Sequence, residues 1–287
     1  MKPAAPLLTR TLATCAGCGG ARLRSLPLAY EFGGRFPLLE CRDCGLRFLG
    51  VQPTGESLSG LYPAEYFERD FRCGRSEAAN TAGEAFRAEN ESLLDAFARL
   101  VPQRPGATPR RLLELGSAGG WLLLQARERG WRVQGVELSA AAVARARALG
   151  LEVFQGDLPA AALPGSSFDL VYMGDVLEHV PDCRAVLGEA VRVLAPGGHL
   201  YLRGPVTTNS MARRLAMGLY GATGRTIVLR EPPYHLWEFT PGPLARLFRT
   251  VGLEVVWARQ SKIPPGRAHG EKSAAQRLAM GTVDAIN

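Results

Sequence analysis

Cys15-Ala-Gly-Cys18-Gly19 and Cys41-Arg-Asp-Cys44-Gly45 repeat one pattern, Cys-x-x-Cys-Gly, at two places in the chain. Four thiolates gathered from two such knuckles make a tetrahedral zinc site, with bonds of about 2.3 Å. Glycine after each second cysteine permits the positive φ that turns backbone N–H groups towards sulfur. With Cys15, Cys18, Cys41 and Cys44 as ligands no position stays open for substrate, so the zinc expected here is structural. The plain alternative is two pairs of free or disulfide-bonded thiols. A second chemistry begins at Glu114-Leu-Gly116-Ser117-Ala-Gly-Gly120, where an apolar strand enters a turn of small residues. An apolar helix follows, so the turn presents backbone N–H groups to a ligand held close to the main chain. Glu137 closes the next strand about 20 residues on, where a carboxylate accepts the hydrogen bonds of a ribose diol. A dinucleotide dehydrogenase would carry Gly-x-Gly-x-x-Gly. This chain has Gly116-x-Ala118-x-x-Trp121 instead.

These residues need elements to position them. Between the knuckles, Leu26 to Glu40 reads as a hairpin around Gly33-Gly34. Leu61-Tyr-Pro-Ala-Glu-Tyr-Phe67 supplies aromatics to pack against the main domain, and Cys73 reads as structural. Apolar spacing over 83–101 predicts an amphipathic helix, and a Pro/Gly/Arg linker over 102–110 leads to the strand Leu112 to Leu115. Strands and helices then alternate. Strands are expected at Trp131–Glu137, Leu151–Phe154, Phe168–Met173, His199–Arg203 and Leu253–Ala258. Helices capped by Ser139 and Asp182, and another over Leu244–Val251, lie between them. The fold class is therefore α/β, a Rossmann-like and mostly parallel sheet with helices on both faces, preceded by a small zinc-binding β module. The expected units are 1–50 for the module, 51–109 for a connection and 110–287 for the main domain, with a lid over about 206–240.

Composition sets the outer bounds. Of 287 residues, 46% are apolar and 21% charged, which is ordinary for a globular chain. The net charge of +7 fits a solvated basic surface or an anionic partner. No window reaches the ~18 uncharged apolar residues of a membrane span. Arg10 interrupts the faintly signal-like N-terminus and Thr14 is a poor residue before a lipidated cysteine, so a cytoplasmic location is expected. Nothing in the sequence sets an oligomeric state.

Glu114-Leu-Gly116-Ser-Ala-Gly-Gly120, Glu137, Gly156-Asp157-Leu158, Phe168-Asp169-Leu170-Val171 and Leu194-Ala-Pro-Gly-Gly198 stand in the order and spacing of class I S-adenosylmethionine-dependent methyltransferases. The resemblance covers about Arg110 to Ala258, and Ala118 departs from the usual glycine. It implies that Gly116, Ser117 and Gly120 pass the methionine part of the cofactor while Glu114 positions its amino group. Glu137, followed by Leu138, would hold the ribose side, Asp157 and Leu158 the adenine edge, and Gly174 the sulfonium side. Taken singly, Glu114 and Asp157 also read as ordinary turn or strand-end carboxylates. The family's closing antiparallel strand has no apolar run to match it over 260–287.

Methyl transfer needs alignment and, for a protic acceptor, a base. His179 in Gly174-Asp-Val-Leu-Glu-His-Val-Pro181 and His235 in Pro232-Pro-Tyr-His235-Leu-Trp-Glu-Phe-Thr240 are the catalytic candidates, with Tyr234 as companion. Asp175-x-x-Glu178-His179 is similar to the Glu-x-x-Glu-His of ubiquinone-pathway and small-RNA methyltransferases, which suggests a second, divalent metal as an alternative. The insertion 206–231 mixes Arg213, Arg214, Arg225 and Arg230 with apolar residues, as a lid over a phosphate-bearing acceptor or a partner-binding surface would. The knuckle module resembles those of sugar and natural-product methyltransferases. The expected function is methylation, at oxygen or carbon, of a small molecule such as a sugar, nucleotide sugar or natural-product intermediate. An RNA or protein methyltransferase is the runner-up, but the module lacks a basic stripe interleaved with aromatics. A non-catalytic binding protein is the third reading.

Overall fold

A computed structural model describes residues 7–55, 57, 81–103, 106, 108–204 and 211–260, the side chains of 81–86 and 211–214 excepted. The segments Leu61–Phe67, Cys73 and Ser273–Met280 lie outside the described residues. Five parallel strands form the main sheet: β6 (Arg111–Leu115), β7 (Arg132–Glu137), β8 (Val153–Gln155), β9 (Phe168–Gly174) and β10 (Leu194–Arg203). Their order is β10-β9-β6-β7-β8, so the strand order reverses beside β6, where open α/β sheets place their ligands. Regular pairing of β10 with β9 runs from His199 to Arg203, after an irregular stretch that takes in Gly197-Gly198.

The leucine run of β6 has a simple cause. Leu112 points into a cluster with Leu94, Phe97, Leu122 and Leu123, while Leu113 and Leu115 point into one with Met173, Leu187 and Ala190. A strand buried on both faces needs apolar residues at every position. The helix α1 (Thr81–Leu100) matches the amphipathic spacing, and its Phe97 ring meets Tyr172 at 5.3 Å and Tyr201 at 5.2 Å. Helices α2 (Trp121–Glu128), α3 (Ala140–Ala148) and α4 (Cys183–Val193) follow β6, β7 and β9. Ser139 and Asp182 cap the last two, Asp182 accepting from both Arg184 N and Ala185 N.

The N-terminal part builds a second sheet from β2 (Leu23–Glu31), β3 (Arg35–Cys41) and β4 (Arg47–Leu49), all antiparallel. Two strands from the far end of the chain complete it. β11 (Ile227–Leu229) pairs with β2 and β12 (Trp237–Glu238) with β4, giving the order β11-β2-β3-β4-β12. A small ladder of β1 (Thr9–Thr11) and β5 (Val51–Pro53) flanks it. The insertion expected as a lid is therefore tied down at one end. It forms α5 (Met211–Ala222), which buries Met217 but exposes Leu215, Leu219 and Tyr220, and then β11. Among the described residues no helix is long and apolar enough to cross a membrane.

One expected strand does not form. Leu253–Ala258 follows α6 (Pro241–Thr250) as irregular chain, with Val255, Val256 and Trp257 exposed. The run has strand-like residues but no neighbour among the described strands to pair with, and a strand exists only through its ladder.

Candidate active site and metal centre

The four knuckle cysteines converge. Cys15 Sγ lies 3.6 Å from Cys44 Sγ, and Cys18 Sγ lies 3.6 Å from Cys41 Sγ. All four sulfurs fall within 4.8 Å of one another. A tetrahedron with 2.3 Å arms has edges of about 3.8 Å, so the spacing suits zinc and is far too long for disulfides. Gly19 and Gly45 take positive φ, as expected, and their N–H groups close the knuckles onto the Cys15 and Cys41 carbonyls. Burial pushes the Cys15 thiol up and the Cys44 thiol to about 11. At Cys41 burial is outweighed by the N–H groups of Cys44 and Asp43, which hold its thiol below the ordinary value.

The glycine turn sits at the C-terminal end of β6. Glu137, at the end of β7, is buried, and its carboxylate accepts from Ala118 N at 2.9 Å and Ser139 N at 2.8 Å. The strand end thereby fixes the turn's shape. Burial raises the Glu137 pKa against the pull of the N–H groups of Ser139, Ala118 and Leu138. Gly116 (φ 68) takes a left-handed conformation, and a side chain there would press within 2.5 Å of Val176. Ser117 Oγ is buried with no hydrogen-bond partner among the described residues, Glu114 is buried below the turn, and Leu138 is 65% exposed beside it. Two buried carboxylates, a buried hydroxyl and an exposed apolar side chain around a small-residue turn are a donor set that fits a nucleoside cofactor. Asp157 is exposed, and one carboxylate oxygen caps its own turn by accepting from Ala160 N at 2.9 Å, while Leu158 is buried. Gly174 ends β9 opposite Arg203 of β10.

Ala118 stands in the turn in a left-handed conformation, with φ 46°. An L-residue in this region costs about 1 kcal/mol. Ala118→Gly should therefore raise stability by about 0.5–1 kcal/mol, the gain trimmed by the freer unfolded chain. A higher urea midpoint at unchanged slope is the expected reading.

His179 and His235 meet edge to face, with ring centroids 4.9 Å apart. His179 Nδ1 lies 2.8 Å from the Tyr234 carbonyl oxygen. A carbonyl only accepts, so Nδ1 carries hydrogen and the lone pair of the neutral ring is on Nε2. That nitrogen stands 3.9 Å from Glu178 Oε1, on a carboxylate that is 3% exposed. Hydrogen bonds lock the two loops together, with Leu236 N donating to the Glu178 carbonyl at 2.8 Å and the Trp237 indole Nε1 to the Val180 carbonyl at 2.7 Å. Burial, with Glu231 adding to it, pushes the Tyr234 phenol up, which keeps it a donor. The cluster with metal-ligand spacing is Glu178, His179 and His235. Asp175 is not in it, contrary to the Asp175-x-x-Glu178-His179 grouping; its backbone is left-handed, with φ 54°. Sequence reasoning missed Arg10 and Gln52, which bond to these two loops from the N-terminal part; neither stands in any motif.

A Rossmann-like sheet with a small-residue turn at its switch point and two histidines beyond the strand ends fits a class of cofactor-dependent α/β enzymes. Comparison narrows it. Residues 85–258 match the methyltransferase-domain family, and the chain belongs to that family as a class I S-adenosylmethionine-dependent methyltransferase. A ubiquinone biosynthesis O-methyltransferase of Thiobacillus denitrificans is 31% identical over 165 residues, covering 54% of this chain and 69% of that one. One from Xanthomonas oryzae is 32% identical over 153 residues, covering 50% and 63%. A solved S-adenosylmethionine-dependent methyltransferase from Mesorhizobium loti is 33% identical with a TM-score of 0.32, covering 38% of this chain and 54% of that one. The chain thus spans about half of that last protein.

Proposed function

We propose that the chain transfers a methyl group from S-adenosylmethionine to a hydroxyl of a small molecule, beside a structural zinc held by Cys15, Cys18, Cys41 and Cys44. The observation that carries the acceptor side is the fixed tautomer of His179, which puts the lone pair of the neutral ring on Nε2. The cofactor supplies an electrophilic methyl on sulfur together with its leaving group. The chain's work is to align and to move one proton. Glu137 holds the ribose hydroxyls, Leu138 covers the base, and Asp157 and Leu158 meet its edge. Glu114, Gly116, Ser117 and Gly120 seat the methionine end, and Gly174 lines the methyl's path. His179 accepts the acceptor's proton, Glu178 stabilises the resulting imidazolium, and His235 packs against the ring. The names of the ubiquinone-pathway relatives support oxygen as the acceptor atom.

His179→Gln should lower kcat by about 10²–10³ while affinity for S-adenosylhomocysteine stays within about twofold. Transfer of labelled methyl to a panel of hydroxylated aromatics and nucleotide sugars is the assay. Unchanged turnover in that variant would remove the base from the scheme. The convergence of Glu178, His179 and His235 also favours a second reading, in which they hold a divalent cation against the acceptor. Under that reading an added cation restores turnover to chelator-treated protein that has kept its zinc; under the first, the chelator has no effect.

A further inference from the structure

Among the ties between the two histidine loops and the N-terminal part is a pair of side chains, the half-buried Arg10 and the buried Gln52. Gln52 in β5 is fully buried and uses both ends of its amide. Its Oε1 accepts from Arg10 Nη2 at 2.9 Å, and its Nε2 donates to the Leu236 carbonyl at 3.3 Å. Leu236 is the residue after His235, and its carbonyl also takes Leu49 N of β4 at 3.0 Å. Arg10 in β1 is the register partner of Gln52, and the same Nη2 donates to the Pro181 carbonyl, just beyond His179. One guanidinium and one amide therefore reach both loops that carry the paired imidazoles.

An amide buried among apolar side chains adds little net stability over a well-packed leucine, because its hydrogen bonds mainly offset its lost hydration. What it adds is direction. The strands that carry the pair are anchored on the cysteines. β1 leads into the Cys15 knuckle, β3 ends on Cys41, and β4 and β5 leave the Cys44 knuckle. β4 in turn pairs with β12, which directly follows His235 and Leu236.

We propose that Arg10 and Gln52 are positioning residues, a clamp that sets the spacing of His179 and His235 and is itself held by the metal-loaded cysteine cluster. Metal at the knuckles is then coupled to the geometry of the acceptor side, while the cofactor turn at Glu137 stays independent of it. The consequence for turnover rests on the reading of the histidines given above; the geometric coupling does not.

The test uses the zinc-loaded chain with ¹⁵N-labelled histidine and no other divalent cation, as wild type, Gln52→Leu and Arg10→Met, and wild type stripped of zinc. Imidazole resonances of His179, His235 and His199 are followed, together with calorimetric affinity for S-adenosylhomocysteine. The resonances of His179 and His235 are expected to shift or broaden in both variants, and most on zinc removal. His199 is expected to stay in place and the affinity to change by less than about twofold. Unmoved His179 and His235 resonances in Gln52→Leu would overturn the clamp. So would equal disturbance of His199 and of cofactor affinity, which would mark general loosening. If His179→Gln leaves methyl transfer intact, the base assignment fails, yet the resonances still decide the clamp.

Discussion

Glu137→Ala should weaken binding of S-adenosylhomocysteine by about a hundredfold, the largest loss expected from any single side chain on the cofactor side. Two contributions add. A ribose diol on a carboxylate makes charge-assisted hydrogen bonds, each worth about 1.5–3 kcal/mol. The same carboxylate also holds Ala118 N and Ser139 N, so its removal loosens the turn the ligand rests on. A factor of one hundred corresponds to about 2.7 kcal/mol, below the sum because water replaces part of what is lost. Glu137→Gln should lose less, about tenfold, since one oxygen remains to accept while the amide nitrogen faces a donor. The pH dependence has a definite sign. Burial raises the Glu137 pKa, so acidification turns the acceptor into a neutral acid at a higher pH than an exposed glutamate would require. Affinity should fall as pH drops through that raised value and should be insensitive to pH in Glu137→Ala. Calorimetric titration at several pH values checks both.

Cys41→Ser should abolish stoichiometric zinc binding and melt the second sheet. Cys41 is fully buried at the end of β3, so its loss leaves a three-thiolate site with a poor fourth ligand. Structural zinc contributes about 10–16 kcal/mol of apparent binding free energy to small modules, enough to decide whether they fold. Zinc content should fall from one per chain to near none, with a separate low-temperature unfolding step for the second sheet. The main sheet has one cluster of buried residues apart from the second sheet and shares the other with it, through residues such as Leu28, Phe36, Leu38 and Phe48. Some loss of main-domain stability is therefore expected as well. Retained zinc in Cys41→Ser would contradict the four-thiolate assignment.

The parts legible in the sequence were those set by local pattern. The buried strand Leu112–Leu115, the small-residue turn after it and the strand ending at Glu137 were legible, because strand burial and close main-chain approach each restrict residue type over a few neighbours. The caps at Ser139 and Asp182 were legible for the same reason. What was not legible depends on partners far apart along the chain. Nothing local to Ile227–Leu229 or Trp237-Glu238 says that these short strands complete a sheet begun at Leu23. Their placement anchors one end of the insertion, and it brings His235 from a distant residue to the neighbour of His179. Arg10 and Gln52 were invisible because a buried amide in a two-stranded ladder has no motif. Leu253–Ala258 misled in the opposite direction, since a strand-like run needs an edge to join.

The most direct measurement is calorimetric titration of the zinc-loaded chain with S-adenosylhomocysteine. One-site binding with a Kd of about 1–10 μM is expected, weakened about a hundredfold in Glu137→Ala and kept in His179→Gln. Absence of binding by protein that unfolds cooperatively and carries one zinc would contradict it.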